Sequence, residues 1–291
     1  MKPAAFEYLY PVSAAEAVDL LERYGEDAKI IAGGQSLVPM MNFRLARPEV
    51  LIDINRIKEL DYIRKEGDEL AIGALTRERD LETSPLVQEK CPILAKAVSL
   101  IGHFPIRARG TIGGSLIHAD PSAEIPTTIC GLDAKMKVLG PSGERTLGPE
   151  EFFLTYLTTS LEPSEMLVEV RVPSLPEKTG WSFVELSRRS GDFAIVAVSS
   201  LLFMEDGGRC REARISLGGV APTPIRAKDA EELLSGQVIS EELIEEAGRE
   251  SADMTDTDAD YHASAEYRRD MARVFVQRGL KEAWNRVEGG E

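Results

Sequence analysis

Ile31-Ala32-Gly33-Gly34-Gln35-Ser36-Leu37 and, far downstream, Ile106-Arg107-Ala108-Arg109-Gly110-Thr111-Ile112-Gly113-Gly114-Ser115 are the stretches on which the fold of this chain turns. Each holds a Gly-Gly pair preceded by a short apolar stretch and followed by a small hydroxyl residue, Ser36 in one and Ser115 in the other. A single such pair, in a chain with 24 glycines, reads as a tight turn. Repeated with these flanks, it also reads as backbone built to approach an anion, with successive N–H groups forming a concave nest. Two nests suit the two phosphates of a dinucleotide. The usual signatures for such ligands are missing: there is no G-x-G-x-x-G, no G-x-x-x-x-G-K-[ST] and no G-x-S-x-G elbow. A dinucleotide here requires a different fold.

Around these stretches, helical and strand periods alternate. Ser13-Ala14-Ala15-Glu16 forms a capping box ahead of an apolar-faced helix that Gly25 ends. Short strands are predicted at 29–32, 50–54 and 70–74, and a helix from Leu86 to Leu100. Alternating patterns mark strands at 135–139 and 166–172. Pro173 to Lys178, with prolines at 173 and 176, reads as a linker. Strands follow at 181–187, 194–204 and 213–220, then acidic helices. A last helix runs from Ser264 to Val287, with Tyr267, Met271, Val274 and Phe275 on its predicted apolar face. The pattern is that of an α+β protein.

Composition narrows the partners. A net charge of −15 opposes binding to nucleic acid. Residues 229–260 carry twelve acidic residues and one basic residue, which reads as a solvated helical surface or as a docking face for a basic partner. No apolar run is long enough for a transmembrane helix. The charged start of the chain, Met1 to Glu7, lacks the apolar core of a signal peptide, so a cytoplasmic protein is expected. Cys91, Cys130 and Cys210 are scattered and form no C-x-x-C pair; they are expected to pack rather than bind metal. His103, His118 and His262 are read as hydrogen-bonded groups rather than catalysts.

Together with Ala119-Asp120-Pro121-Ser122-Ala123-Glu124, the two glycine stretches resemble the FAD-binding medium subunit of the molybdenum hydroxylases, the group of aerobic carbon monoxide dehydrogenase and bacterial xanthine dehydrogenase. The resemblance runs over nearly the whole chain. Arg188-Arg189-Ser190-Gly191-Asp192-Phe193-Ala194 and Ala265-Glu266-Tyr267-Arg268-Arg269 add to it. It implies a vanillyl-alcohol-oxidase-type (PCMH-type) FAD-binding domain in two subdomains over residues 1–175, and a smaller C-terminal α+β domain of the carbon monoxide dehydrogenase flavoprotein kind over 176–291.

The resemblance also implies a site. Ala32, Gly33, Gly34, Gln35 and Ser36, with Thr111, Ile112, Gly113, Gly114 and Ser115, would hold the FAD pyrophosphate. Lys29, Ile30, Ile31, Leu37 and Ile101 would line the site, and Leu167 would lie beside the flavin ring. Asp120 belongs to the same set. Glu124, where relatives often have Asp, would hold the adenosine end. No catalytic acid or base and no metal ligand is nominated, because the cofactor carries the redox chemistry. The implied partners are a large molybdopterin subunit, a small [2Fe-2S] subunit and an external electron acceptor. Two rival expectations are a free-standing flavin reductase or oxidase, and a scaffold subunit without flavin.

Overall fold

Ser13 begins the first helix, Ala14–Tyr24, its hydroxyl accepting from the amide of Glu16 at 3.2 Å. The return arm of the cap reaches one residue further back than the pattern predicts: Glu16 accepts from the amide of Val12 at 2.8 Å. The helix buries Ala17, Val18 and Leu21 against a parallel three-stranded sheet, ordered Glu7–Leu9, Val50–Asp53, Ala28–Ile31. The computed structural model describes residues 1–289.

A second, antiparallel sheet has the order Ile63–Glu66, Glu69–Gly73, Met166–Pro173, Lys135–Gly140, Gly143–Leu147. Its central strand, Met166–Pro173, separates two cores. Met166 and Val168 join the core of the first sheet, whereas Leu167, Val170 and Val172 join that of the helical layer on the opposite face. In that layer the single helix predicted over Leu86–Leu100 is broken. Pro85–Lys90 and Pro92–Leu100 are separate helices, because Pro92 drives Cys91 out of the helical region to φ −148°.

The third sheet is antiparallel, ordered Thr179–Leu186, Val196–Met204, Cys210–Gly218, Ile225–Arg226. All of Val196–Met204 is buried, so both faces of that strand are covered. Ser199 and Ser200 point to opposite faces. Ser199 lies under Gly131 of helix Glu124–Leu132, and Ser200 under Gly279 of the last helix. Small residues at these crossings let each helix lie close to the sheet.

The last helix, Ala265–Val287, buries the predicted face only in part. Tyr267 is exposed and Met271 and Val274 are half-buried; Arg268, Ala272, Phe275, Val276, Gly279, Leu280 and Ala283 are buried. Hydropathy misplaced part of the face because its first buried residue is an arginine. The acidic helices Lys228–Leu234 and Glu241–Asp253 turn most of their carboxylates outward. Glu231 is the exception: it is buried and held by Arg226 at 2.5 and 2.7 Å and by the amide of Ile215 at 2.8 Å.

Candidate functional site

Strand Ala28–Ile31 runs directly into Ala32-Gly33-Gly34, which opens onto a cavity of about 600 Å³ lined by strand residues of the first and second sheets. That size lies within the usual range for a cofactor site. Lys29 to Leu37 form one wall, and Ile101, Gly110, Thr111 and Gly113 to Ser115 face it. Asp120, Ala123 and Glu124 line another part, Met166 and Leu167 a third, and Gly191 and Phe193 reach in from the C-terminal sheet region. Every expected site residue except Ile112 lines this cavity. Ile112 is fully buried in the hydrophobic core, its side chain turned away from the cavity by the helix it begins.

The two glycine stretches are not equivalent nests. Thr111 is the N-cap of helix Ile112–His118, so Gly113 and Gly114 lie in its first turn rather than in a loop. Their donors are already used. Ile112 donates to Thr76 at 3.1 Å, Gly113 to Ala74 at 3.0 Å, and Gly114 to the Thr111 hydroxyl at 3.0 Å. Ser115 donates to the Thr111 carbonyl at 3.0 Å. The first stretch is the reverse. Among the described residues, none accepts from the backbone N–H of Gly33, Gly34, Gln35 or Ser36. Buried backbone donors need partners, and this row at a cavity wall suits an anionic oxygen. The second stretch offers hydroxyls at Thr111 and Ser115 instead.

A latch that sequence reading missed joins the two stretches. Asn55 donates to the Ala32 carbonyl at 2.8 Å; Arg77 donates to Asn55 at 2.7 Å and to the Arg109 carbonyl at 2.6 Å. Gly33 packs directly on the backbone of Arg109 and Gly110. Gly113 packs on Ala74, whose carbonyl oxygen lies 2.6 Å from where a methyl would sit. Asn55 and Arg77 lie outside any motif, and their partners are backbone carbonyls, so nothing in the linear pattern marks them.

Buried carboxyls complete the site. Glu124 is 4% exposed, and burial, reinforced by Glu185, Glu78 and Asp120, pushes its carboxyl up to about 8. Burial also raises Glu78 to about 7, against the opposing field of Arg107. Glu185 lies outside the cavity lining and is raised to about 7 by burial, with Lys96 opposing. The sign for stability is the same in each case. An unfolded carboxyl gives up its proton near 4.5, whereas folded Glu124 holds it until about 8, so stability falls as pH rises through that window. Glu124→Gln is therefore expected to raise the melting temperature of the FAD-free chain at pH 8 and to leave it unchanged near pH 4. Thermal denaturation at both pH values tests this; no gain at pH 8 would refute it.

The cavity thus combines free amide donors, hydroxyls, a buried carboxyl at one end, and apolar walls from Ile30, Ile54, Ile101, Leu161 and Leu167. That set fits an extended molecule with a central dianion, a hydroxylated arm and a flat apolar ring. Among the described residues, no cluster of His, Cys, Asp and Glu is arranged to hold a metal ion, and no helix is long and apolar enough to cross a membrane.

Comparison with known proteins follows the same lines. Residues 4–175 match the family described as the FAD binding domain in molybdopterin dehydrogenase, and residues 181–283 match the CO dehydrogenase flavoprotein C-terminal domain. The chain is 43% identical to the 6-hydroxypseudooxynicotine dehydrogenase complex subunit alpha of Paenarthrobacter nicotinovorans, over 99% of this chain and 97% of that one. It is 42% identical to the carbon monoxide dehydrogenase medium chain of Hydrogenophaga pseudoflava, over 98% and 99%. In solved structures, a carbon monoxide dehydrogenase chain from that organism superposes with a TM-score of 0.96 at 43% identity, covering 98% of this chain and 99% of that one. A chain of quinoline 2-oxidoreductase from Pseudomonas putida 86 gives 0.94 at 37% identity, covering 99% of each.

Proposed function

This chain belongs to the FAD-binding family of the molybdopterin dehydrogenases, and from that premise we propose that it is the subunit that receives electrons from the [2Fe-2S] clusters of a small subunit and delivers them to an external acceptor. The chain is an oxidoreductase subunit whose cofactor is FAD. The large partner in this reading is a molybdopterin subunit, where substrate is oxidised. FAD supplies the capacity to accept and release electrons singly or in pairs.

The residues of this chain bind and orient that cofactor. The observation that carries the reading is the row of unpartnered amides at Gly33 to Ser36, facing the hydroxyls of Thr111 and Ser115 across one cavity. In this reading those donors hold the pyrophosphate. Lys29, Ile30, Ile31, Ala32 and Leu37 shape the wall beside it, with Gly113 and Gly114 opposite. Asp120 and Glu124 serve the adenosine end. Ile101 and Leu167 exclude water from the ring. No side chain is assigned as a general acid or base. Cys91, Cys130 and Cys210 are all buried free thiols, which supports a reducing, cytoplasmic setting and leaves the chain no cluster ligands of its own.

The test is to produce the chain alone and together with the molybdopterin and iron–sulfur subunits of the proposed complex. The chain is expected to purify yellow and to assemble with both. Its flavin should bleach on addition of the complex's substrate only when both partners are present. An isolated chain that oxidises substrate by itself would favour the free-standing enzyme. A colourless chain that takes up no added FAD would favour the scaffold.

A further inference from the structure

Glu78 has no part in the cofactor contacts described above, yet its position is unusual. It opens helix Glu78–Thr83, is 5% exposed, and lines the cavity at the junction of the two glycine stretches. Its amide is fixed on the Gly110 carbonyl at 3.0 Å. Its carboxyl lies against Gly110, where a side chain would collide with it, and Gly110 in turn lies against Gly33. Oε2 is buried with no hydrogen-bond partner. A buried carboxyl without a partner costs several kcal/mol if ionised, unless it holds a proton or gains a donor. Of the amides near it, those of Gly110, Ile112 and Gly113 are bonded elsewhere.

We propose that Glu78 binds the FAD pyrophosphate directly, as a protonated carboxyl that donates a hydrogen bond to a phosphate oxygen. This rests on the placement of the pyrophosphate between the two glycine stretches. It adds a donor beside the hydroxyls of Thr111 and Ser115, on the side where the amides of Ile112 to Ser115 are spent. The proton comes from solvent, and no covalent bond changes.

The surrounding charges set the sign. Arg107, on the adjacent helix Phe104–Arg107, favours ionisation of Glu78 but is itself bound to Glu82 at 2.9 Å. Arg77, just before Glu78, is engaged by Asn55 and Arg109. Glu124 and Asp120 stand on the wall formed by helix Glu124–Leu132 and its approach, and Lys29, His118 and Glu165 on the remaining walls. Burial outweighs Arg107 and leaves the carboxyl titrating at about 7, so above neutrality FAD must bring a proton with it. Affinity is then lost by up to about tenfold per pH unit.

The test is the FAD dissociation constant of the full-length chain, followed by flavin fluorescence from pH 6 to 9, for wild type, Glu78→Gln and Glu78→Ala. Gln keeps a donor and cannot ionise. E78Q should therefore match wild type at pH 6 and weaken with a slope shallower by one proton between pH 7 and 8. E78A should bind about tenfold or more weakly at pH 6, as expected for loss of a hydrogen bond to a charged group. Should E78A fail to fold, the comparison of wild type with E78Q decides. A wild-type slope in E78Q, or wild-type affinity in E78A at pH 6, overturns the role of Glu78 while leaving the site intact. A wild-type chain that takes up no FAD at any pH overturns the site and this role together.

Discussion

Gly33→Ala is expected to leave a folded chain that has lost its flavin. The added methyl would be driven into the carbonyl of Arg109 and onto the backbone of Gly110. Neither is the free end of a side chain that can swing away. The Arg109 carbonyl is also held by Arg77, which is tied through Asn55 to Ala32 in the first stretch. Relieving the clash therefore means parting the two walls of the cavity. Overpacking of this kind costs about 1–3 kcal/mol. If it falls on the bound state, FAD affinity drops by about five- to a hundredfold. Gly34→Ala is the informative control. Its φ of +72° imposes strain, but its nearest neighbours are side-chain carbons of Val38 and Ile31 at 3.0 and 3.2 Å, which can shift. A milder loss is expected there. The ratio of flavin absorbance to protein after purification, with a thermal melt to confirm folding, gives the result. G33A purifying with a full complement of FAD would show that the two stretches can separate without harm to the site.

Arg268→Ala should carry the largest stability cost of any single change in the C-terminal sheet region. The guanidinium donates to the carbonyls of Ile195 at 2.6 Å and Gly219 at 2.7 Å, and to Asp260 at 2.7 Å. It is the buried hub joining the last helix to the strand that follows Phe193 and to the turn at Gly219, whose amide in turn donates to the Pro121 carbonyl at 2.7 Å. Truncation strands two buried carbonyls and leaves the half-exposed Asp260 unpaired, at a cost of about 2–6 kcal/mol, most of it from the carbonyls. For a chain of this size that is a fall in melting temperature on the order of 10 °C. Lysine should restore only part, since it cannot fork between two carbonyls and a carboxylate. The pH dependence gives a second handle. Burial raises the Asp260 carboxyl, but the bonds from Arg268 and the amides of Ala263 and His262 outweigh it and hold it down at about 2. Its contribution is present above the ordinary value of 3.8 and is lost as pH falls towards 2, so this acid sensitivity should shrink in R268A. An unchanged melting temperature in R268A would rule out the hub.

How much of this was legible beforehand depended on whether each feature is local. The capped helix at Ser13 and the strand leading into the first glycine stretch are set by neighbours in sequence, and they were read from them. The α+β class and the FAD cofactor were legible because several spaced stretches together resemble one family. The break at Pro92 was also local, yet hidden inside an apolar run with helical period. The face of the last helix was read correctly at Phe275 and in part at Met271 and Val274, but Arg268 was missed because it is buried by carbonyls from distant segments, which hydropathy does not register.

The sequence by itself determined the family, the cofactor and the stretches that frame the cavity, because glycines, caps and short apolar strands act over a few residues. Only the tertiary structure decided how the two glycine stretches divide their work. In the second, the amides of Ile112 and Gly113 are spent on Thr76 and Ala74, which lie far from it in sequence, and those of Gly114 and Ser115 on Thr111, whereas those of Gly33 to Ser36 have no partner among the described residues. It also brought Glu78 to the junction and turned Ile112 away into the core. Hydrogen-bond satisfaction is settled by which groups meet in space, and a linear pattern does not contain those meetings.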